Sequence, residues 1–293
     1  MTTATGSSSH GGFALDPRYV AARRVLLDAL FALAPHGKAF IVAGAQAVYL
    51  RTGLNDIAIA PYTTDGDLAL DPTLLGDDPE LETTMRDAGF QLLKRAGAVE
   101  PGIWTRSEQV DGEPLIIPID LIVPEAVAGP GRRGARLDSH GKQAARRAAG
   151  LEAVLVDHDT MTIGALHPFD TRKIDVEVAG VAALLVAKAH KIHDRLATNK
   201  TDRLSDKDAA DVLRIMQTTP PKDAGATLAT IRRDPRASEA TETALTYIAD
   251  LFGRRSGQGI AMAQRALRLA IPEAQVATLC VAFTDVLLEA SRT

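Results

Sequence analysis

The period of the apolar residues changes along this chain. Up to about residue 166 helical spacing is interspersed with short apolar runs of strand length, and from Val181 onward the pattern is helical throughout. Residues 16–33 read as an amphipathic helix. Residues 38–44 form a short buried strand ending at Gly44, and residues 45–51 then read as a helix, so 38–70 is a strand–helix–strand unit. The pattern predicts a helix over 79–97. Two strands follow over 103–123 around Asp111-Gly112, a hairpin signal that places Asp120 on the second arm. Two more short strands are expected over 153–166, around Asp157-His158-Asp159. The helical stretch from Val181 is punctuated by Pro220-Pro221, Pro235 and Pro272. The expected fold is α+β, a mixed sheet flanked by helices followed by an all-helical C-terminal region. Its parts are a disordered Gly/Ser/Thr-rich tail (1–15), a core (16–180) and a helical domain (181–293).

Chemistry enters through the carboxylates. Asp120 lies inside the apolar run Ile117-Pro-Ile-Asp-Leu-Ile-Val123, and burying it is costly without a cation or hydrogen-bond donors. Asp65 and Asp67 are two residues apart, which in a strand puts both on one face. Two or three hard oxygen ligands that leave room for water and phosphate suit Mg²⁺, and two ions roughly 4 Å apart activate a hydroxyl and stabilise a leaving pyrophosphate. On this reading Asp65, Asp67 and Asp120 are metal ligands. The competing reading has Asp65 in a solvated turn beside Gly66 and Asp120 at a strand end facing water. Gly44, opening a helix, lets backbone approach a phosphate where free N–H groups and the helix dipole favour anions.

A strand, a glycine, a helix, an Asp-x-Asp pair and a later Asp together make the arrangement of the polymerase-β-like nucleotidyltransferases. Within that superfamily the chain resembles the AbiEii/MenT-type toxins, from type IV-like toxin–antitoxin pairs, over roughly residues 38–216. Four places carry the resemblance: Gly44-Ala45 with Asp65-x-Asp67; Asp120; Lys188 after Leu184-Leu185; and Arg203-x-x-x-Lys207-Asp208-x-x-Asp211, which matches the family's last motif at every specified position. Two departures stand out: Ala45 occupies a place where Ser is common, so help there comes from backbone, and 52–61 reads as an inserted loop. The resemblance implies a polymerase-β-like core and an Mg²⁺-dependent enzyme with two ions, which moves NMP from an NTP to an acceptor hydroxyl. The acceptor implied is the 3′ end of tRNA, the outcome arrested growth, and the partner a cognate antitoxin.

The later motifs also have a plain physical reading. Lys188, Lys191 and Arg195 fall at i, i+3 and i+7 of one helix and make a cationic face. It either binds β/γ-phosphates, with Lys188 nearest, or is a solvated basic face; for Lys191 both readings stay open. Asp208 and Asp211 share a face of the next helix, N-capped by Ser205 or Asp206, while Val212, Ile215 and Met216 bury the other. One of the pair serves as proton acceptor or orients Lys188, or both merely complement the helix dipole. Lys207 belongs with the nucleotide-binding set. So does Arg203, which pairs with an acid or with phosphate.

Composition bounds these expectations. The chain has 293 residues, 46% of them hydrophobic, and one cysteine, Cys280, in an apolar setting that suits a buried hydrophobe rather than a catalytic thiol. With no apolar stretch near the roughly 18 residues that span a bilayer and a polar N-terminus, a cytoplasmic protein is expected. Net charge is −4, yet Arg132, Arg133, Arg136, Lys142, Arg146 and Arg147 crowd a glycine-containing segment with one acid, Asp138. That segment, which its glycines are expected to keep mobile, is either an RNA-binding patch or a solvated loop and helix face. His140 within it is expected to be exposed. Two alternatives stay open: a small-molecule nucleotidyltransferase of the antibiotic-modifying kind, and a non-catalytic relative that binds nucleotide or a partner.

Overall fold

The computed structural model describes residues 15–53, 62–198 and 206–292. The expected tail, apart from Leu15, the inserted loop from residue 54 to 61, Arg203 and the cap residue Ser205 lie outside these.

The fold is α+β, with a mixed open sheet flanked by helices and a helical C-terminal region. Helix α1 (Pro17–Leu33) starts at Asp16, whose side chain accepts from the Arg18 N–H at 2.8 Å, with Pro17 at the first turn where its missing N–H costs nothing. Strand β1 (Phe40–Ala43) is wholly buried and turns at Gly44 into α2 (Gly44–Thr52). Strand β2 (Gly66–Leu70) follows, then α3 (Leu81–Asp87), β3 (Gln91–Arg95) and the long hairpin of β4 (Ala98–Val110) and β5 (Glu113–Pro124). Asp111 and Gly112 both have positive φ, 53° and 84°, as a two-residue primed turn requires. Short β6 (Arg146–Ala148) pairs with β5, and β7 (His158–Gly164) and β8 (Lys173–Ala179) close the described chain's sheet in the order β3-β4-β5-β2-β1-β8-β7.

Two expectations are corrected and one strand is added. The helix predicted over 79–97 ends at Asp87, because Gln91–Arg95 pairs antiparallel with β4. Residues 153–166 hold one strand, β7, preceded by a 3₁₀ turn at Glu152–Leu155. Strand β8 was not anticipated, although Lys173-Ile-Asp-Val-Glu-Val alternates polar and apolar residues with period two.

The back of the chain is helical as expected: α4 (Val181–Ala197), α5 (Asp206–Thr218), α6 (Pro221–Ile231), α7 (Ser238–Phe252), α8 (Gln258–Leu267) and α9 (Glu273–Ala290), broken at the three predicted proline sites. Both α4 and α5 pack against α2, and α6 to α9 pack mainly on one another and on α4 and α5. A continuous apolar core joins α1, β1, β2 and β5 to α4 and α5, with Trp104, Tyr19, Phe40 and Leu26 fully buried in it. Cys280 is buried in α9, and burial pushes its thiol up to about 12.

Candidate active site

The site lies where the C-terminal end of β1 meets α2, α4 and α5. Strands β2 and β5 are parallel neighbours in a register that sets Asp67 directly beside Asp120, and β1 sets Ala43 beside Asp67 on the other side. Asp65 ends the approach to β2, one residue before it begins. Gly44, with φ at 62°, could not be any other residue without movement, because a Cβ there would overlap Oδ2 of Asp67. A small chain position therefore lets the Asp67 carboxylate lie against the first turn of α2.

The cleft in front is about 560 Å³, with Gly44, Asp67, Arg146, Lys188, Lys191 and Arg195 in its wall. Ile122, Ala148, Leu151 and Leu184 supply an apolar side. A smaller pocket shares Asp67 and the three cations of α4 and adds Ala45, Asp65, Lys207 and Asp208. The structure thus brings together every catalytic and nucleotide-binding residue expected from the sequence except Arg203, which lies outside the described residues.

Most of the site's charges are paired. Lys188, buried, donates 2.7 Å bonds to Asp208 and to Asp211, so the i, i+3 pair of α5 grips one ammonium. Burial opposes the charge on Lys188, but the two carboxylates more than offset it and hold it above the ordinary lysine range. Asp208 also takes Arg195 and, at 3.4 Å, Lys191. Burial raises this carboxyl, yet Lys188, Lys191 and Arg195 drive it well below the usual carboxylate range. The cationic face read from the sequence is therefore turned inward on Asp208, with Lys191 42% exposed and still open to the cleft.

Asp65 accepts from the Thr63 hydroxyl, which itself accepts from Lys207 Nζ at 2.8 Å. Burial raises Asp65, and Lys207 and Thr63 lower it by more, leaving it below the ordinary range. The same burial depresses Lys207, against the pull of Asp65 and Asp211. Gln46 of α2 reaches the Asp65 carbonyl at 3.4 Å and is itself held by the buried Arg23 at 2.9 Å. Thr63, Gln46 and Arg23 are supporting residues that sequence reasoning missed. Only Thr63, two places before Asp65 in an otherwise polar turn, offered a local signal.

Asp120 found the compensating cation its strand demanded, in Arg146. Its guanidinium donates from Nε at 3.1 Å and Nη2 at 2.7 Å, both to Oδ2. Burial still pushes Asp120 up to about 6; Arg146 pulls it down, and Asp67 and Asp65 add to the rise. Among the described residues no three Asp, Glu, His or Cys side chains are gathered into a ready metal cage. The donor set nevertheless fits Mg²⁺, which needs only one or two protein carboxylates and keeps waters and phosphate oxygens for the rest.

The basic segment divides. Arg132, Arg133, Arg136 and Lys142 are exposed, whereas Arg146 faces the site and Arg147 is tied to Glu125 at 2.9 Å and to the carbonyls of Gly129 and Gly131. The expected mobile loop is instead hydrogen-bonded in place: Ala135 to Ala145, Arg147 to Arg133, and Gly102 to Gln143. His140 is corrected too. It is buried, edge-on to His36 with ring centres 5.5 Å apart.

No protein-family model matches the chain, and no curated protein matches it. Among the described residues no helix is long and apolar enough to cross a membrane.

Proposed function

We propose that the protein is an Mg²⁺-dependent nucleotidyltransferase with a polymerase-β-like core, of the AbiEii/MenT toxin type. The observation that carries this reading is the register of Asp67 beside Asp120, with Gly44 packed on Asp67 and a lysine–carboxylate network forming the opposite wall of one cleft. An NTP enters with its triphosphate toward the N-terminus of α2 and the cations of α4. Backbone N–H groups of Gly44 and Ala45 and the side chains of Lys191, Arg195 and Lys207 bind phosphate oxygens there. Asp65 and Asp67, with Asp120, would hold Mg²⁺. Bound Mg²⁺ supplies positive charge to the α-phosphate and to the departing pyrophosphate.

The acceptor oxygen forms a bond to the α-phosphorus as the α–β bridging bond breaks; pyrophosphate leaves, and the acceptor proton passes to a carboxylate of the cleft or to water. Asp208 is poorly suited to take that proton, because three cations keep it ionised. Its role is to orient Lys188 together with Asp211. Positioning and electrostatics supply most of the rate. The acceptor favoured is the 3′ end of tRNA, with the exposed Arg132, Arg133, Arg136 and Lys142 as phosphate contacts and an antitoxin as partner.

The test incubates purified protein with Mg²⁺, each labelled NTP and total bacterial tRNA, beside Asp67→Ala. Label on RNA from the wild type alone supports the enzyme and its acceptor class together. Nucleotide binding without transfer to RNA would remove tRNA and favour a small-molecule acceptor.

A further inference from the structure

We propose that Arg146 is a positioning residue of this site: it holds Asp120 as an internal counter-ion and so limits the carboxylates to one divalent cation until nucleotide binds. The inference rests on the reading of Asp65, Asp67 and Asp120 as a metal site. Arg146 is not a loose surface arginine. Its backbone is pinned by the parallel register with Ile122 and by Gly102, where a Cβ would overlap the Arg146 N–H. On either side, Trp104 Nε1 bonds the Ala144 carbonyl at 2.9 Å and Gly102 N–H bonds the Gln143 carbonyl at 2.9 Å. The segment thus delivers one guanidinium to one carboxylate.

Both donors converge on Oδ2, and Oδ1 takes no hydrogen bond from the described residues. A divalent ion on Asp120 would have to lie within about 2.1 Å of a carboxylate oxygen and beside the guanidinium, where like charges repel. Arg146 already neutralises Asp120, whereas no ion pair occupies the carboxylate of Asp67 among the described residues. The first ion therefore binds at Asp65 and Asp67. A second enters with the triphosphate, whose oxygens offer the guanidinium a bidentate replacement for Asp120.

The experiment counts bound Mn²⁺ by electron paramagnetic resonance and calorimetry, with and without a non-hydrolysable NTP analogue, on wild type, Arg146→Met and Arg146→Lys. Wild type and the Lys variant should take one ion without nucleotide, and wild type two with it. The Met variant should take two without nucleotide, the second bound about tenfold or more tighter than any second ion on wild type. A purely structural arginine would leave the count unchanged. Equal counts in wild type and Met variant overturn the proposal while leaving the metal site standing. If no protein binds Mn²⁺, the metal reading itself fails and takes the proposal with it. Should Arg146→Met unfold, recovery of the fold with two Mn²⁺ bound supports the assignment, and unfolding that Mn²⁺ does not reverse overturns it.

Discussion

At Gly44 the backbone adopts φ of 62° with the Asp67 carboxylate directly behind the α-carbon. Gly44→Ala must therefore either unwind the turn into α2 or push Asp67 out of register with Asp120. A displacement of about 1 Å at a reacting group costs on the order of 10²-fold in rate. Gly44→Ala should lose at least that much nucleotidyl transfer while its thermal unfolding falls by only a few degrees; a variant with near-normal turnover would remove the tight contact from the argument. Lys188 poses the opposite case, where stability carries the signal. Lys188→Met leaves Asp208 and Asp211 buried together without their shared ammonium. Removing one partner of a buried ion pair costs about 3–5 kcal/mol, which urea unfolding would report directly. A loss below about 1 kcal/mol would mean that water or Lys191 replaces the ammonium.

Helices α4 and α5 are joined by that ion network, so their contact depends on pH from both ends. Asp208 is depressed in the fold, and its contribution is present above the unfolded carboxylate value of about 3.9 and lost as pH falls below it. Lys188 is raised in the fold, so its contribution is present below about 10.4 and lost as pH rises beyond that. Protection of the α5 amides, measured as exchange relative to the intrinsic rate at each pH, should be greatest between these limits and fall outside them before the β1–β2–β5 centre opens; simultaneous opening of both would contradict it. The elements themselves were unevenly visible in sequence. The β4–β5 hairpin was readable because Asp111-Gly112 encodes its turn locally. Strand β3 was not, since Leu92, Leu93 and Lys94 favour helix and only pairing with β4 overrides them. The carboxylates, Lys188 and the α5 pair announced themselves by spacing. Arg146 did not, because its partner lies 26 residues away across a strand pairing that no local pattern encodes.

Across the whole molecule, Cys280 offers a global reporter. With its thiol pushed up to about 12 and its side chain buried in α9, it should resist iodoacetamide at pH 8 and react only when the helical region opens. Adding Mg²⁺ and NTP should slow that labelling by roughly 1 + [L]/Kd, and unchanged labelling at saturating nucleotide would argue that ligand does not couple to this region. Surface charge is separable from the cleft. Neutralising Arg132, Arg133, Arg136 and Lys142 should weaken tRNA modification at least about tenfold and flatten its salt dependence while sparing nucleotide binding. The cleft also has a history written into chain order. Asp65, Asp67 and Asp120 lie just before β2, on β2 and on β5, whereas most of the cleft's cations come from α4 and α5 much later in synthesis. A nascent chain released before α5 would carry Asp65 without Lys207 and Lys188 without the two carboxylates that hold it, so the cleft is complete only once that helix has been made and has closed on α2.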